Sequence, residues 1–271
     1  MILIGTCGYS YDDWVGPFYP SGLRKGDWLP FYAEHFDAVE LNFSFYRMPT
    51  AHQMDGMVRR TDGKLVFVVK SPQEITHQRG DTLGVVESFI EALKPMKEAG
   101  VLGGVLLQFP FSFKFVPENT AYLGQIVEAF EGVDLIVEFR HDSWVKPEVT
   151  EYLKGKGVAF CNVDEPHLHE LIRKTEFVTS NIGYVRFHGR NAKTWWKGDS
   201  AQRYNYLYTP NELLEWKESL RTMSEKVDAL FLFTNNHYGG NAVKNAMDLQ
   251  AMMGVEKPKP PVETPLFEEK T

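Results

Sequence analysis

The chain has 271 residues, with 29 Lys and Arg against 36 Asp and Glu for a net charge of −7, and 43% apolar and 14% aromatic residues. That apolar content excludes a disordered chain, and no stretch approaches the roughly 20 apolar residues of a membrane-spanning helix. Cys7 and Cys161 make neither a metal spacing nor a disulfide framework, and residues 1–6 lack the basic-then-apolar order of a secretory signal, so a cytoplasmic protein is expected.

A first β-rich run at 2–6 leads through an aromatic loop to a helix at 27–36. A strand at 38–42 precedes a helix at 51–60, and a strand at 65–70 precedes a helix at 82–99. That helix is apolar at Val85, Val86, Phe89, Leu93 and Met96, a helical stripe closed by Gly100. A strand at 104–108 is followed by a helix at 119–131 that ends at Gly132. A strand at 135–140 is followed by a helix at 147–154 that opens with Pro147. Strands at 158–162 and 184–188 flank a short helix at 167–174. Thr209-Pro210-Asn211-Glu212 is a capping box opening a helix to 224. A strand at 229–235 and a helix at 241–253, stopped by Gly254, complete the pattern.

Eight strand–helix units predict a TIM-type barrel over residues 1–254. An open doubly wound sheet is the alternative, weakened because no GxGxxG follows the first strand. Residues 255–271 form a tail in which Lys257-Pro258-Lys259-Pro260-Pro261 is expected to be extended.

In a barrel, side chains alternate between lumen and helix layer, and functional groups gather where strands end at the carboxyl face. Alternation assigns Glu40 and Asn42, Lys70, Gln108, Glu138 and Arg140, and Arg186 and His188 to the lumen. The same reasoning places Asn162 and Asp164 there, and the last strand runs into Asn235-Asn236-His237. Polar groups at so many strand ends must pair, hydrate or bind a ligand. Lys70, Arg140, Arg186 and Arg190 point to a phosphate or carboxylate group. Gly189 would let backbone approach a ligand or simply make a turn. Glu138, Asp164, His188 and His237 are admissible ligands of a divalent metal, although their spacing cannot test this.

Three strand-to-helix loops are rich in aromatics: Tyr9, Tyr11, Trp14, Phe18 and Tyr19 in 8–20; Phe43, Phe45 and Tyr46 in 42–47; and Trp195, Trp196, Tyr204, Tyr206 and Tyr208 in 191–208. They would either plug the barrel mouth or offer stacking surfaces to a base or sugar ring. The same residues carry a family resemblance. Gly5-Thr6-Cys7-Gly8-Tyr9-Ser10-Tyr11, Val39 to Tyr46, Ile75-Thr76-His77, Gln108-Phe109-Pro110, Glu138 to Trp144, Arg186 to Arg190 and Asn235-Asn236-His237 resemble the domain-of-unknown-function 72 (YecE-like) family. The resemblance covers residues 1–253 and implies a TIM-type barrel without supplying a reaction. Cys7 and Tyr9 stand where the family more often has Ser and Trp, which argues against an essential Cys7 nucleophile.

The leading expectation is an enzyme using acid–base chemistry on a small polar or anionic substrate. Glu138 or Glu40 would be the base and His188 its partner. Arg140, Arg190 and Lys70 would hold the anion, with Arg186, Asp164 and His237 beside them. Asn42, Gln108 and Asn236 would orient hydroxyls or water, and Trp195 and Tyr46 would flank the ligand. Lys70 as a Schiff-base nucleophile is a variant. The alternatives are a nucleic-acid phosphodiesterase of endonuclease IV-like architecture and a non-enzymatic ligand-binding scaffold. In the tail, Glu263-Thr264-Pro265-Leu266-Phe267 is a weak match to a sliding-clamp-binding peptide, and an ordinary tail is favoured.

Overall fold

Eight parallel strands close into a barrel in chain order, β1 pairing with both β2 and β8. They are β1 (Ile2–Cys7), β2 (Ala38–Leu41), β3 (Val66–Lys70), β4 (Leu102–Gln108), β5 (Leu135–Glu138), β6 (Ala159–Asp164), β7 (Ile182–Phe187) and β8 (Ala229–Thr234). This computed structural model describes residues 1–80, 82–198 and 200–257. The clamp-like segment 263–267 lies outside the described residues.

The helices are α1 (Trp28–His35), α2 (Phe43–Tyr46), α3 (Ala51–Arg60), α4 (Leu83–Glu98), α5 (Pro117–Ala129), α6 (Pro147–Lys156), α7 (Ser200–Arg203), α8 (Pro210–Leu214), α9 (Lys217–Ser224) and α10 (Asn241–Met253). Among the described residues, no helix is long and apolar enough to cross a membrane. β2, β5, β6 and β7 are buried at every position, as strands covered on both faces must be. Aromatics fill the lower lumen, where Tyr184 lies 5.9 Å from Phe231 and 5.4 Å from Phe233 between ring centres. Gly103 makes room for them, since a Cβ there would come within 2.8 Å of Phe231.

Three local departures from the sequence reading bear on the site. The expected helix at 167–174 does not form. The chain there is tied instead by long-range bonds: Ile172 N–H donates to the Glu165 carboxylate at 3.2 Å, and the Glu170 carbonyl accepts from Asp142 N–H at 2.9 Å. Glu170 itself takes a positive φ of 61°. Next, the helix opened at Thr209 is split into α8 and α9 at Trp216, whose indole N–H reaches inward to Asp164 at 2.7 Å. Finally, a wide turn of the i→i+5 kind at Glu74–Gln78 follows β3 and carries His77 to the barrel mouth.

Candidate functional site

The strand ends hold a continuous network of buried charges. Arg186 donates to Glu40 Oε1 at 2.7 Å and to Glu138 Oε2, and Tyr184 O–H donates to Glu40 Oε2 at 2.8 Å. Arg140 Nε lies 2.6 Å from Glu138 Oε1 as an ion pair. His188 Nε2 is 3.0 Å from the same oxygen, while Asn235 donates to His188 Nδ1 at 3.0 Å. With Nδ1 accepting, the imidazole carries its proton on Nε2 and donates to Glu138. Both glutamates and His188 have no exposed surface.

Above this network opens a cavity of about 590 Å³, within the usual range for small-molecule sites. Its charged lining side chains among the described residues are Lys70, Arg140, Arg186 and Arg203. Among the described residues no Asp or Glu lines it; Glu40 and Glu138 lie beneath, screened by the two arginines. Asn42, Gln108 and Asn235 contribute amides, and Tyr11, Phe45, Tyr46, Phe111, Trp195, Trp196 and Tyr204 form aromatic walls. The Nε atoms of Arg186 and Arg203 and Oδ1 of Asn42 are buried without a hydrogen-bond partner among the described residues. Such groups cost about 1–3 kcal/mol each when left unsatisfied.

Electrostatics sort the titratable groups. Burial would raise the Glu138 carboxyl, but Arg140, Arg186 and His188 overcome it and hold it well below the ordinary range. Burial and then Arg140 push His188 down to about 3 against the pull of Glu138, so the ring is neutral. His77 is lowered to about 4 by burial and by Lys70, Arg140 and Arg79. Burial also lowers His237, which stacks on Tyr11 with 4.7 Å between ring centres. Lys70 is brought down to about 7, by burial first and by Arg186 next. Burial pushes the Cys7 thiol well up, away from the thiolate a nucleophile needs.

The structure therefore joins Glu40, Lys70, Gln108, Glu138, Arg140, Arg186 and His188 at one end of the lumen. Asn42, His237, Trp195 and Tyr46 line the same cavity. Three expected site residues lie elsewhere. Asp164 points to the helix layer, accepting from Arg190 Nε and Nη2 at 2.8 and 2.7 Å, from Tyr208 O–H at 2.7 Å and from Trp216 N–H at 2.7 Å. Arg190 spends its charge on Asp164 and on Glu215 at 2.8 Å. Asn236 donates to the Tyr206 carbonyl and to Asn245, both at 2.8 Å, while its neighbour Asn235 faces the cavity. Asn162 likewise faces outward, accepting from Thr175 O–H and Phe177 N–H. Gly189, at φ 89°, turns the chain against Tyr206 and donates to Tyr208 O–H. The aromatic loops divide as well: Trp14, Phe18, Tyr19 and Tyr208 are buried packing residues.

Glu165, His77 and Phe111 were not expected at the site, and Arg203 and Tyr204 reach it from the aromatic segment 191–208. Glu165 lies 3.5 Å from Arg140 Nη1 and is pushed up to about 8 by burial. Alternation beginning from Cys161 would have found it, and alternation from Phe231 and Phe233 would have found Asn235. Among the described residues no three His, Cys, Asp or Glu side chains converge as a metal site. The four ligands considered above are dispersed, with Asp164 outside the lumen and Glu138 surrounded by Arg140, Arg186 and His188.

Comparison with known proteins gives a consistent set of relatives. A family model described as "Protein of unknown function DUF72" matches residues 3–269. The UPF0759 protein YunF of Bacillus subtilis (strain 168) is 32% identical over 276 residues, covering 94% of this chain and 96% of that protein. A solved DUF72 family protein of Thermotoga maritima MSB8 superposes with a TM-score of 0.87 at 36% identity, covering 94% of this chain and 99% of that one. Another, from Enterococcus faecalis V583, gives a TM-score of 0.85 at 25% identity, covering 99% and 100%.

Proposed function

This chain belongs to the DUF72 family of proteins of unknown function, and we propose that its barrel mouth binds a small anionic substrate, bearing phosphate or carboxylate, and performs acid–base chemistry on it. The carrying observation is the sign of the cavity. Among the described residues, each charged group that lines it is cationic, and two of its guanidinium groups, those of Arg186 and Arg203, have a buried Nε–H without an acceptor. An anion would satisfy those donors in the forked geometry guanidinium groups favour.

The roles then differ from those suggested by residue type alone. Glu40 and Glu138 are counter-charges that aim Arg186 and Arg140, because their oxygens are occupied and they do not reach the cavity. Neutral His188 donates to Glu138 and helps to hold it in place. Lys70 lines the cavity and changes protonation near neutrality, so it is the group suited to exchange a proton with substrate.

Isothermal titration with inorganic phosphate at low ionic strength tests this reading. One site is expected, weakened about tenfold or more in Arg140→Gln through loss of a charged hydrogen-bonding partner. Unchanged affinity in that variant would sink the proposal.

A further inference from the structure

Lys70 is held in an unusual way for a lysine beside two glutamates. Its Nζ donates to Gln108 Oε1 at 2.7 Å, and Gln108 Nε2 donates in turn to the Phe109 carbonyl at 2.8 Å. That second bond fixes the amide so that its oxygen faces the amine. The Phe45 ring centre lies 4.1 Å from Nζ on another side. The backbone is pinned as well, the Lys70 carbonyl accepting from Ser44 O–H at 2.6 Å. No carboxylate pairs with Lys70 among the described residues, because Arg186 and Arg140 take up Glu40 and Glu138. An amine positioned by an amide oxygen keeps its lone pair when it loses a proton. A salt bridge would hold it as ammonium.

We propose that Lys70 is the nucleophile of this cavity, condensing with the carbonyl carbon of an anionic aldehyde or ketone to form an iminium. This deepens the anion-binding reading and rests on it: Arg140 and Arg186 would hold the phosphate or carboxylate while the carbonyl meets Nζ. The nearby guanidinium charges and burial bring Lys70 to about 7, so amine and ammonium coexist at neutral pH. The step balances without an oxidant or reductant. Nζ, having released a proton, forms a bond to carbon as the carbonyl electron pair moves to oxygen. Oxygen takes up two protons, equal in number to those nitrogen loses from its ammonium form, and leaves as water when the C–O bond breaks. Lysine ammonium plus carbonyl thus gives iminium plus water. The iminium then acts as an electron sink for proton removal at the adjacent carbon, which links the adduct to the acid–base chemistry proposed above.

The test is reductive trapping on the full chain with sodium cyanoborohydride and either glyoxylate or glycolaldehyde phosphate, followed by peptide mass spectrometry. Lys70 is expected to be modified at least about tenfold faster than any exposed lysine, whose amine is almost wholly protonated at pH 7. Competing sulfate should slow that modification, and the aldehyde that reacts tells a carboxylate substrate from a phosphate one. Lys70→Arg should bind sulfate, which shows it to be folded, yet form no adduct at this position. Failure of both aldehydes to label Lys70 in protein that binds sulfate would overturn the nucleophile assignment alone. Absence of sulfate binding in the unmodified protein would overturn the anion site beneath it.

Discussion

Glu138 shows how far residue type can mislead about role. A carboxylate at the end of a barrel strand reads as a general base, yet its oxygens face Arg186, Arg140 and His188, and none of its surface is exposed. Glu138→Gln leaves two buried guanidinium groups undercompensated and should destabilise the fold by about 3 kcal/mol, measured by urea denaturation. His188 leaves a pH signature. Its ordinary value of 6.5 is lowered to about 3 in the folded chain. Its contribution is complete above pH 6.5 and is lost as pH falls, because the unfolded chain takes up a proton that the folded ring refuses. Stability should decline by up to about 1.4 kcal/mol per pH unit between pH 6.5 and 3. Glu138, with its depressed carboxyl, adds to the loss below its ordinary 4.5. In His188→Gln, urea midpoints should fall less steeply between pH 6.5 and 4.5; an identical slope would count against a buried neutral His188. Alternation in β2 and β7 made Glu40, Arg186 and His188 legible as neighbours. It could not show which charges would cancel, because that depends on distances across the lumen.

Among the elements, β6 explains most of what the sequence reading misplaced. Its polar residues Asn162 and Asp164 looked like lumen groups because Cys161 and Val163 are apolar. The β6–β7 connection contains no helix among its described residues, so the outer face of this strand meets loop backbone and needs polar partners. Asn162 accepts from Thr175 and Phe177, and Asp164 gathers Arg190, Tyr208 and Trp216, which draws α8 and α9 onto the barrel. Asp164→Asn removes the charge opposite Arg190 and should cost about 3 kcal/mol, with faster hydrogen exchange in α8 and α9. Sulfate affinity should be unaffected, since Asp164 does not line the cavity. A folded variant with affinity reduced as strongly as in Arg140→Gln would place Asp164 in the site after all. Regular helices such as α3 and α10 were legible to the residue, because their caps are local. Trp216 breaks its helix for a partner distant in sequence, which no local pattern reports.

The barrel follows from the alternation of strands and helices that runs through the whole chain, together with its length. The aromatic excess divides between packing, as with Trp14, Phe18 and Tyr19, and the cavity walls, as with Tyr46, Trp196 and Tyr204. The charge of −7 likewise conceals a mouth of opposite sign. Arg203 reaches that mouth from α7 and Phe111 from a loop, where no strand alternation points to them. Such a mouth predicts anion affinity that weakens as salt is raised, modestly because the charges are recessed. The most direct measurement is sulfate affinity by calorimetry at pH 6 and at pH 9, since sulfate keeps the same charge throughout. Lys70, at about 7 in the free protein, is cationic at the lower pH and neutral at the higher. Affinity is predicted to fall about tenfold or more across that interval, given that bound anion and ammonium stabilise one another by at least one pKa unit. Lys70→Arg is predicted to remove the dependence. Sulfate binding that is absent, or equal at both pH values in the unmodified protein, would contradict a cationic mouth governed by Lys70.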